Sequence, residues 1–184
     1  MKQNLGITRI LLSFYERMRD MYLLPWGLLA LFAVVLDAVS KQIVLANMRL
    51  FQSIPVIENV FHITFVKNTG ASFGIFPGAR WFFVAVTVIL IAAIIIYTIK
   101  SREKDKLYLL SASFIVGGGI GNLIDRILTG EVVDFFDFCL IDFAVFNVAD
   151  CFVVVGVILM LIYCLISDYK AKKLKNGGDT DGNI

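Results

Sequence analysis

The sequence predicts an integral membrane protein, mainly α, of four transmembrane helices with a small extracytoplasmic β-sheet and an N-terminal interfacial helix. Three observations predict it. Apolar residues make up 59% of the 184 residues and charged ones only 17%, against roughly 45–50% and 25% in soluble domains. The mean hydropathy is +0.82. Four stretches are long and apolar enough to cross a hydrocarbon layer of about 30 Å, which takes roughly 20 helical residues.

Residues 1–21 form a cytoplasmic, interfacial segment. Ile7, Leu11, Phe14, Met18 and Met21 recur at helical spacing, with Arg9, Arg17 and Asp20 off that face, the pattern of a helix lying in the membrane surface. This is not a cleavable signal. Ala38-Val39-Ser40 satisfies a small-x-small rule, yet Asp37 and Lys41 beside it look useful in place. The four spans cover about 22–46, 81–99, 107–128 and 145–167, within a transmembrane region of 22–169. The first outer loop, about 47–80, carries VFHITFV at 60–66, where Phe61, Ile63 and Phe65 alternate with His62, Thr64 and Val66. That period of two, with Ile54–Ile57 before it, predicts a β-element. Asn68-Thr69-Gly70 reads as a turn. The second outer loop, about 129–144, is short, acidic and aromatic. Residues 170–184 are a polar, Gly-rich cytoplasmic tail whose composition predicts disorder.

Orientation follows from charge. Twelve of the seventeen Lys and Arg residues lie before the first span, between the second and third, or after the fourth. The positive-inside rule then puts both termini in the cytoplasm.

Each ionisable residue in a span costs about 2.5–3.5 kcal/mol near the bilayer centre and so requires a reason. Asp37 and Lys41 are spaced as an i,i+4 ion pair near the outer interface. In GGGIGNLIDR (117–126) the glycines permit close helix packing. Asn122 and Arg126 share a face, with Asp125 beside it; a snorkelling arginine would explain Arg126 but neither Asn122 nor Asp125. Asp134 sits among phenylalanines in VVDFFDF. Asn147 and Asp150 begin the fourth span, and Asp150 has no cation near it in sequence. Two carboxyls sharing a proton can activate water. A single histidine and three scattered cysteines give no basis for a metal site or disulfide framework. Intramembrane acids also suit a proton-coupled transporter, although the chain is small and without internal repeats. A non-catalytic scaffold would leave the polar residues unexplained. The residues alone do not rank Asp134 above Asp125.

DAVSK (37–41), VKNTGASFG (66–74), GGGIGNLIDR (117–126), VVDF (132–135) and FNVAD (146–150), in this order on four spans, resemble the signature blocks of bacterial lipoprotein signal peptidases (signal peptidase II). The resemblance implies an intramembrane aspartic endopeptidase of the bacterial cytoplasmic membrane, with its active site near the outer face. It implies cleavage of lipid-modified prolipoproteins just before the diacylglyceryl cysteine, contact with membrane lipids, and inhibition by globomycin. Asp134 and Asp150 match the family's catalytic pair. Asn68, Gly70, Asn122, Arg126 and Asn147 match substrate-site positions, and Asp37, Lys41 and Asp125 match supporting polar ones. No metal, organic cofactor or nucleic acid is implied. Two departures stand out: Ser40 replaces a frequent threonine, and 136–145 is unusually apolar and acidic.

The charge distribution makes a prediction. Cysteine labels placed at Lys104 and Lys175 should react only from the cytoplasm, and labels at Glu58 and Asp137 only from outside. The reverse pattern in impermeant-maleimide labelling of whole cells and spheroplasts would overturn the orientation.

Overall fold

The computed structural model describes residues 21–70 and 78–177. The interfacial helix expected over 1–21 lies outside the described residues apart from Met21, as do residues 71–74 of the second signature block. Among the described residues, four helices are long and apolar enough to cross a membrane: α1 (Leu24–Asn47), α2 (Arg80–Ser101), α3 (Lys106–Leu128) and α4 (Val148–Gly177). The shortest, at 22 residues, spans about 33 Å at 1.5 Å per residue. A 3₁₀ turn, Met21–Leu23, leads into α1 with a proline in its first positions, where the missing N–H costs nothing. Asp105 caps α3 by accepting from the N–H groups of Leu107 and Tyr108, which satisfies two donors that the helix itself cannot.

The first three spans fall within two residues of their expected limits. The fourth starts three residues late, because Phe146 bridges to Phe136 and Asn147 caps the helix rather than joining it. It also runs past Lys170 to Gly177, so 170–177 is helical where disorder was expected. The Asp168–Lys172 i,i+4 ion pair of 2.8 Å and lysines near the negative end of the helix dipole favour that extension.

α3 is the most buried of the four helices and α2 the least. Its small residues explain why. A Cβ on Gly117 would lie 2.6 Å from the Ala30 carbonyl oxygen, and one on Gly118 would collide with the carbonyl oxygen of Ala149. The glycines therefore let α1 and α4 approach α3 at backbone distance, as small residues do where no hydrophobic drive separates helix from lipid.

The strands form a three-stranded antiparallel sheet, ordered β1 (Ser53–Ile57), β2 (Phe61–Asn68) and β3 (Val132–Asp137). The expected strand over 60–66 is β2. β3, in a segment read as loop, was not expected; its run of Val and Phe suits a strand, but two of its six residues are acidic. β3 pairs Val66 with Asp134 and His62 with Asp137, with an irregularity between Ile63 and Val66. Val44, Phe65, Val133 and Phe135 form a buried cluster that fixes the sheet to the end of α1. The turn from α3 into β3 passes through Gly130 at φ +84°, which a side chain would resist. Residues 136–145 finish β3, make a 3₁₀ turn at Cys139–Ile141 and pack rings of Phe136, Phe138, Phe143 and Phe146 together.

Gly118→Ala should therefore separate α3 from α4 and cost about 1–3 kcal/mol, the usual range for overpacking. Gly119→Ala, whose Cβ would meet only side chains, Ile91 at 3.2 Å and Thr87 at 3.7 Å, should cost less. Thermal unfolding in detergent checks the order.

Candidate functional site

Lys41 is 2% exposed, and its ammonium has three N–H groups to place. Asp37 Oδ2 at 2.7 Å and Asn122 Oδ1 at 3.0 Å accept from it, and Asp125 Oδ2 lies 2.8 Å away as an ion pair without hydrogen-bond geometry. The expected i,i+4 pair is thus present, and it is buried between helices. Asp37 Oδ1 accepts from the backbone N–H of Ala149 at 2.9 Å, tying α1 to the first turn of α4. Room for that carboxylate comes from Gly121, where a Cβ would lie 2.6 Å from Asp37 Oδ2. Ser40 donates to the Asp37 carbonyl at 2.7 Å, so the residue that departs from the family pattern spends its hydroxyl on its own helix.

Asn147, fully buried, stands immediately before α4. Its Oδ1 accepts from the Asp150 N–H at 2.9 Å, and Asp150 Oδ2 accepts from the Asn147 N–H at 3.2 Å. This is a reciprocal capping box, the physical reason for the spacing of three. The amide's two protons go to Asn122 Oδ1 at 3.0 Å and Asp134 Oδ1 at 2.6 Å. Asn122 in turn donates to Asp150 Oδ1 at 2.7 Å. Both amides are fixed in orientation: turning either would set donor against donor.

Asp134, 3% exposed, enters from β3. Its second oxygen accepts from Asn68 Nδ2 at 2.9 Å, while Asn68 Oδ1 accepts from the Gly70 N–H at 2.9 Å, an Asx turn that ends β2. Burial pushes the Asp134 carboxyl up to about 7; the Asn68 and Asn147 amides oppose this, and the nearby Asp150 charge adds to it. Arg126 has partners within the protein. Its guanidinium donates to the Gly70 carbonyl at 3.1 Å and lies 5.3 Å from the ring centre of Phe83.

All ten candidate residues thus join one hydrogen-bonded and ion-paired network. Sequence reasoning missed three participants. Phe83 on α2 shelves Arg126, the Ala149 N–H holds Asp37, and Gly121 makes space for it; Gly121 was noted for packing only. No local signal marks Phe83, which lies 43 positions from Arg126. A cavity of about 260 Å³ opens beside the network, lined by Asn122, Arg126 and Asp150 together with apolar residues such as Leu90, Ile91 and Ile115. A second cavity of about 250 Å³, by Trp26, Ile94 and Leu109, holds no ionisable group.

A family model described as signal peptidase (SPase) II matches residues 29–166, the stretch that contributes the whole network. The chain belongs to the signal peptidase II family. Among its relatives, the lipoprotein signal peptidase of Brevibacillus brevis is 44% identical over 135 residues, 73% of this chain and 91% of the relative. That of Halothermothrix orenii is 44% identical over 136 residues, 74% and 92% of the two chains. Two solved structures described as a bacterial membrane enzyme superpose with TM-scores of 0.74 and 0.70 at 38% identity. They cover 80% and 77% of this chain and 91% and 92% of their own. The signal peptidase II fold and a peptidase activity follow from this membership.

Lys41→Met should leave the buried Asp37 carboxylate unpaired and cost about 3–5 kcal/mol. Asp37→Asn added to Lys41→Met should recover part of that loss, because the stranded charge is gone. Melting temperatures of the two variants in detergent decide it; equal losses would show that the ammonium stabilises by packing alone.

Proposed function

We propose that this chain is an aspartic endopeptidase that cleaves signal peptides from prolipoproteins immediately before the diacylglyceryl-modified cysteine. The observation that carries the reading is the unequal setting of two carboxyls within one asparagine scaffold. Asp134 is buried on a strand, with its carboxyl held near neutrality. Asp150 is less buried, lines the cavity and lies in the first turn of a helix, whose positive end favours negative charge. Such a difference assigns the shared proton to Asp134 and the general base to Asp150.

Attack then proceeds in two steps. Asp150 takes a proton from water as its oxygen bonds to the scissile carbonyl carbon, and Asp134 gives its proton to the carbonyl oxygen. In the second step Asp150 returns its proton to the amide nitrogen, Asp134 recovers one from the gem-diol, and the C–N bond breaks. Atoms and charges balance without metal or organic cofactor. Asn68, Gly70, Asn122, Arg126 and Asn147 serve the substrate site. Arg126 and the amides hold the backbone near the dyad, and the apolar lining of the cavity takes hydrocarbon of the signal peptide or its lipid. Asp37, Lys41 and Asp125 keep the scaffold in register. The substrate arrives laterally among membrane lipids at the outer face, with both termini of the enzyme cytoplasmic. Globomycin-type cyclic peptides block the same cavity.

Asp134→Asn and Asp150→Asn should each lower cleavage of a lipidated prolipoprotein peptide by about 10²–10⁴-fold or more without unfolding the protein. The double variant should be little worse than either single one. Retained turnover in a folded Asp134→Asn variant would remove Asp134 from the dyad. The sign of the pH effect is fixed as well. The folded carboxyl of Asp134 lies above its unfolded value, so its proton is lost as pH rises through about 7, and activity should fall there. By the same linkage, the Asp134 contribution to stability is fully present below about 4 and declines as pH rises to about 7. Asn68→Ala removes a bond that favours the charged form, so the alkaline limb of kcat/KM should move to higher pH; a shift to lower pH would assign that limb to another group.

A further inference from the structure

The single histidine takes no part in the network around Asp134. His62 on β2 faces Asp137 across the β2–β3 ladder, and Cys139 opens the 3₁₀ turn that follows. One imidazole nitrogen, one Asp137 oxygen and the Cys139 sulfur lie within 4.8 Å of one another, all in half-buried residues. Cys139 is a free thiol.

Hydrogen bonds on this face fix the state of the imidazole. Thr64 Oγ1 donates to Asp137 Oδ2 at 2.6 Å. Its only proton is thereby used, so in its 2.8 Å contact with Ser53 Oγ the serine donates. The serine proton is then used too, and at 3.2 Å Ser53 Oγ accepts from His62 Nδ1. Nε2 is shielded from solvent and has no hydrogen-bond partner. With the proton on Nδ1, Nε2 is the nitrogen whose lone pair is left to ligate when the imidazole is neutral.

We propose that His62, Asp137 and Cys139 form a binding site for a divalent cation of the zinc class on the three-stranded sheet. Nitrogen, oxygen and sulfur donors are the set zinc takes. Its bonds of about 2.0–2.3 Å place tetrahedral ligand atoms roughly 3.4–3.6 Å apart, so side-chain rotation need close the cluster by only about 1 Å. Ser53 orients His62 and Thr64 holds Asp137, the outer-shell partners that such ligands ordinarily have. On binding, the Cys139 thiol releases its proton to solvent, and thiolate and carboxylate together neutralise the ion. A fourth position stays open to water. The period of two puts Asp137 on the strand face opposite Asp134, so the ion braces the far end of β2 and β3 rather than entering the peptidase chemistry. The spacing of the three residues in sequence conceals this site; only the strand register brings them together.

The test titrates detergent-purified full-length protein with cobalt(II) alone and then with zinc. One equivalent of cobalt should produce a thiolate-to-cobalt charge-transfer band that zinc bleaches. The band should vanish in Cys139→Ser and persist in Cys151→Ser and Asp134→Asn. His62→Ala and Asp137→Asn should each weaken zinc binding at least about tenfold, and zinc should raise the melting temperature of the unaltered protein. Zinc should also protect Cys139, but not exposed Cys164, from alkylation in the unaltered protein, which needs no variant to fold. The proposal is overturned by no cobalt band, by a band that survives Cys139→Ser, by undiminished zinc affinity in His62→Ala, or by Cys139 alkylating equally fast with zinc present.

Discussion

One ammonium group holds three helices in register. Lys41 Nζ comes from α1 and touches Asp125 and Asn122 of α3 as well as Asp37 of its own helix. Asp37 carries the connection onward to the α4 N-terminus through the Ala149 N–H. Moving two carboxylates and an ammonium away from water costs several kcal/mol per ion, and close oppositely charged neighbours with full hydrogen bonding offset that cost only in good geometry. The charges therefore specify rather than merely stabilise: helices displaced by a few tenths of an ångström would leave a buried ion short of a partner. Asn122 inherits the restraint. With its oxygen committed to Lys41 and Asn147, its NH₂ can only face Asp150.

Such geometry is reachable only because α3 has no side chains in the way. Gly118 meets the Ala149 carbonyl and Gly121 meets both Asp37 and the Ala149 side chain. In a helix interior each glycine costs about 0.5–1 kcal/mol relative to alanine. That cost is offset by van der Waals contact between backbones, and by the polar network that close approach permits. The glycine run and the acidic residues are thus parts of one arrangement, although they read in the sequence as separate features.

Much of this was legible in the sequence, for reasons of period and composition. Unbroken apolar runs identify helices irrespective of partners, so Trp81–Ile99 is unmistakable. The alternation at 61–65 marks β2, and the i,i+4 and i,i+3 spacings bring Asp37 to Lys41 and Asn147 to Asp150 on local geometry alone. What stayed hidden depends on contacts between distant segments. β3 is short, with acids at two of its six positions, and becomes a strand because β2 offers a partner edge. Phe83 has no local mark. Asp134 and Asp125 are chemically equivalent in the sequence; the structure separates them, since Asp125 ion-pairs with Lys41 while Asp134 accepts only amide protons.

That separation has a chemical consequence. Asp37 and Asp125 each have the Lys41 ammonium within 2.8 Å. Asp134 is buried among neutral amides instead: their N–H groups and the Lys41 charge favour its anion, but burial and the adjacent Asp150 disfavour it more strongly. The fold therefore sorts its acids by the partner each is given. Lys41 pairs with those that hold the helices together. The asparagines Asn68, Asn122 and Asn147, which carry no charge, orient Asp134 and Asp150 through hydrogen bonds alone. Replacing the Asn68 or Asn147 amide by a cation would preserve a hydrogen bond and pull the Asp134 carboxyl down, so the neutrality of its donors, together with burial, lets that carboxyl sit above the ordinary carboxylate range.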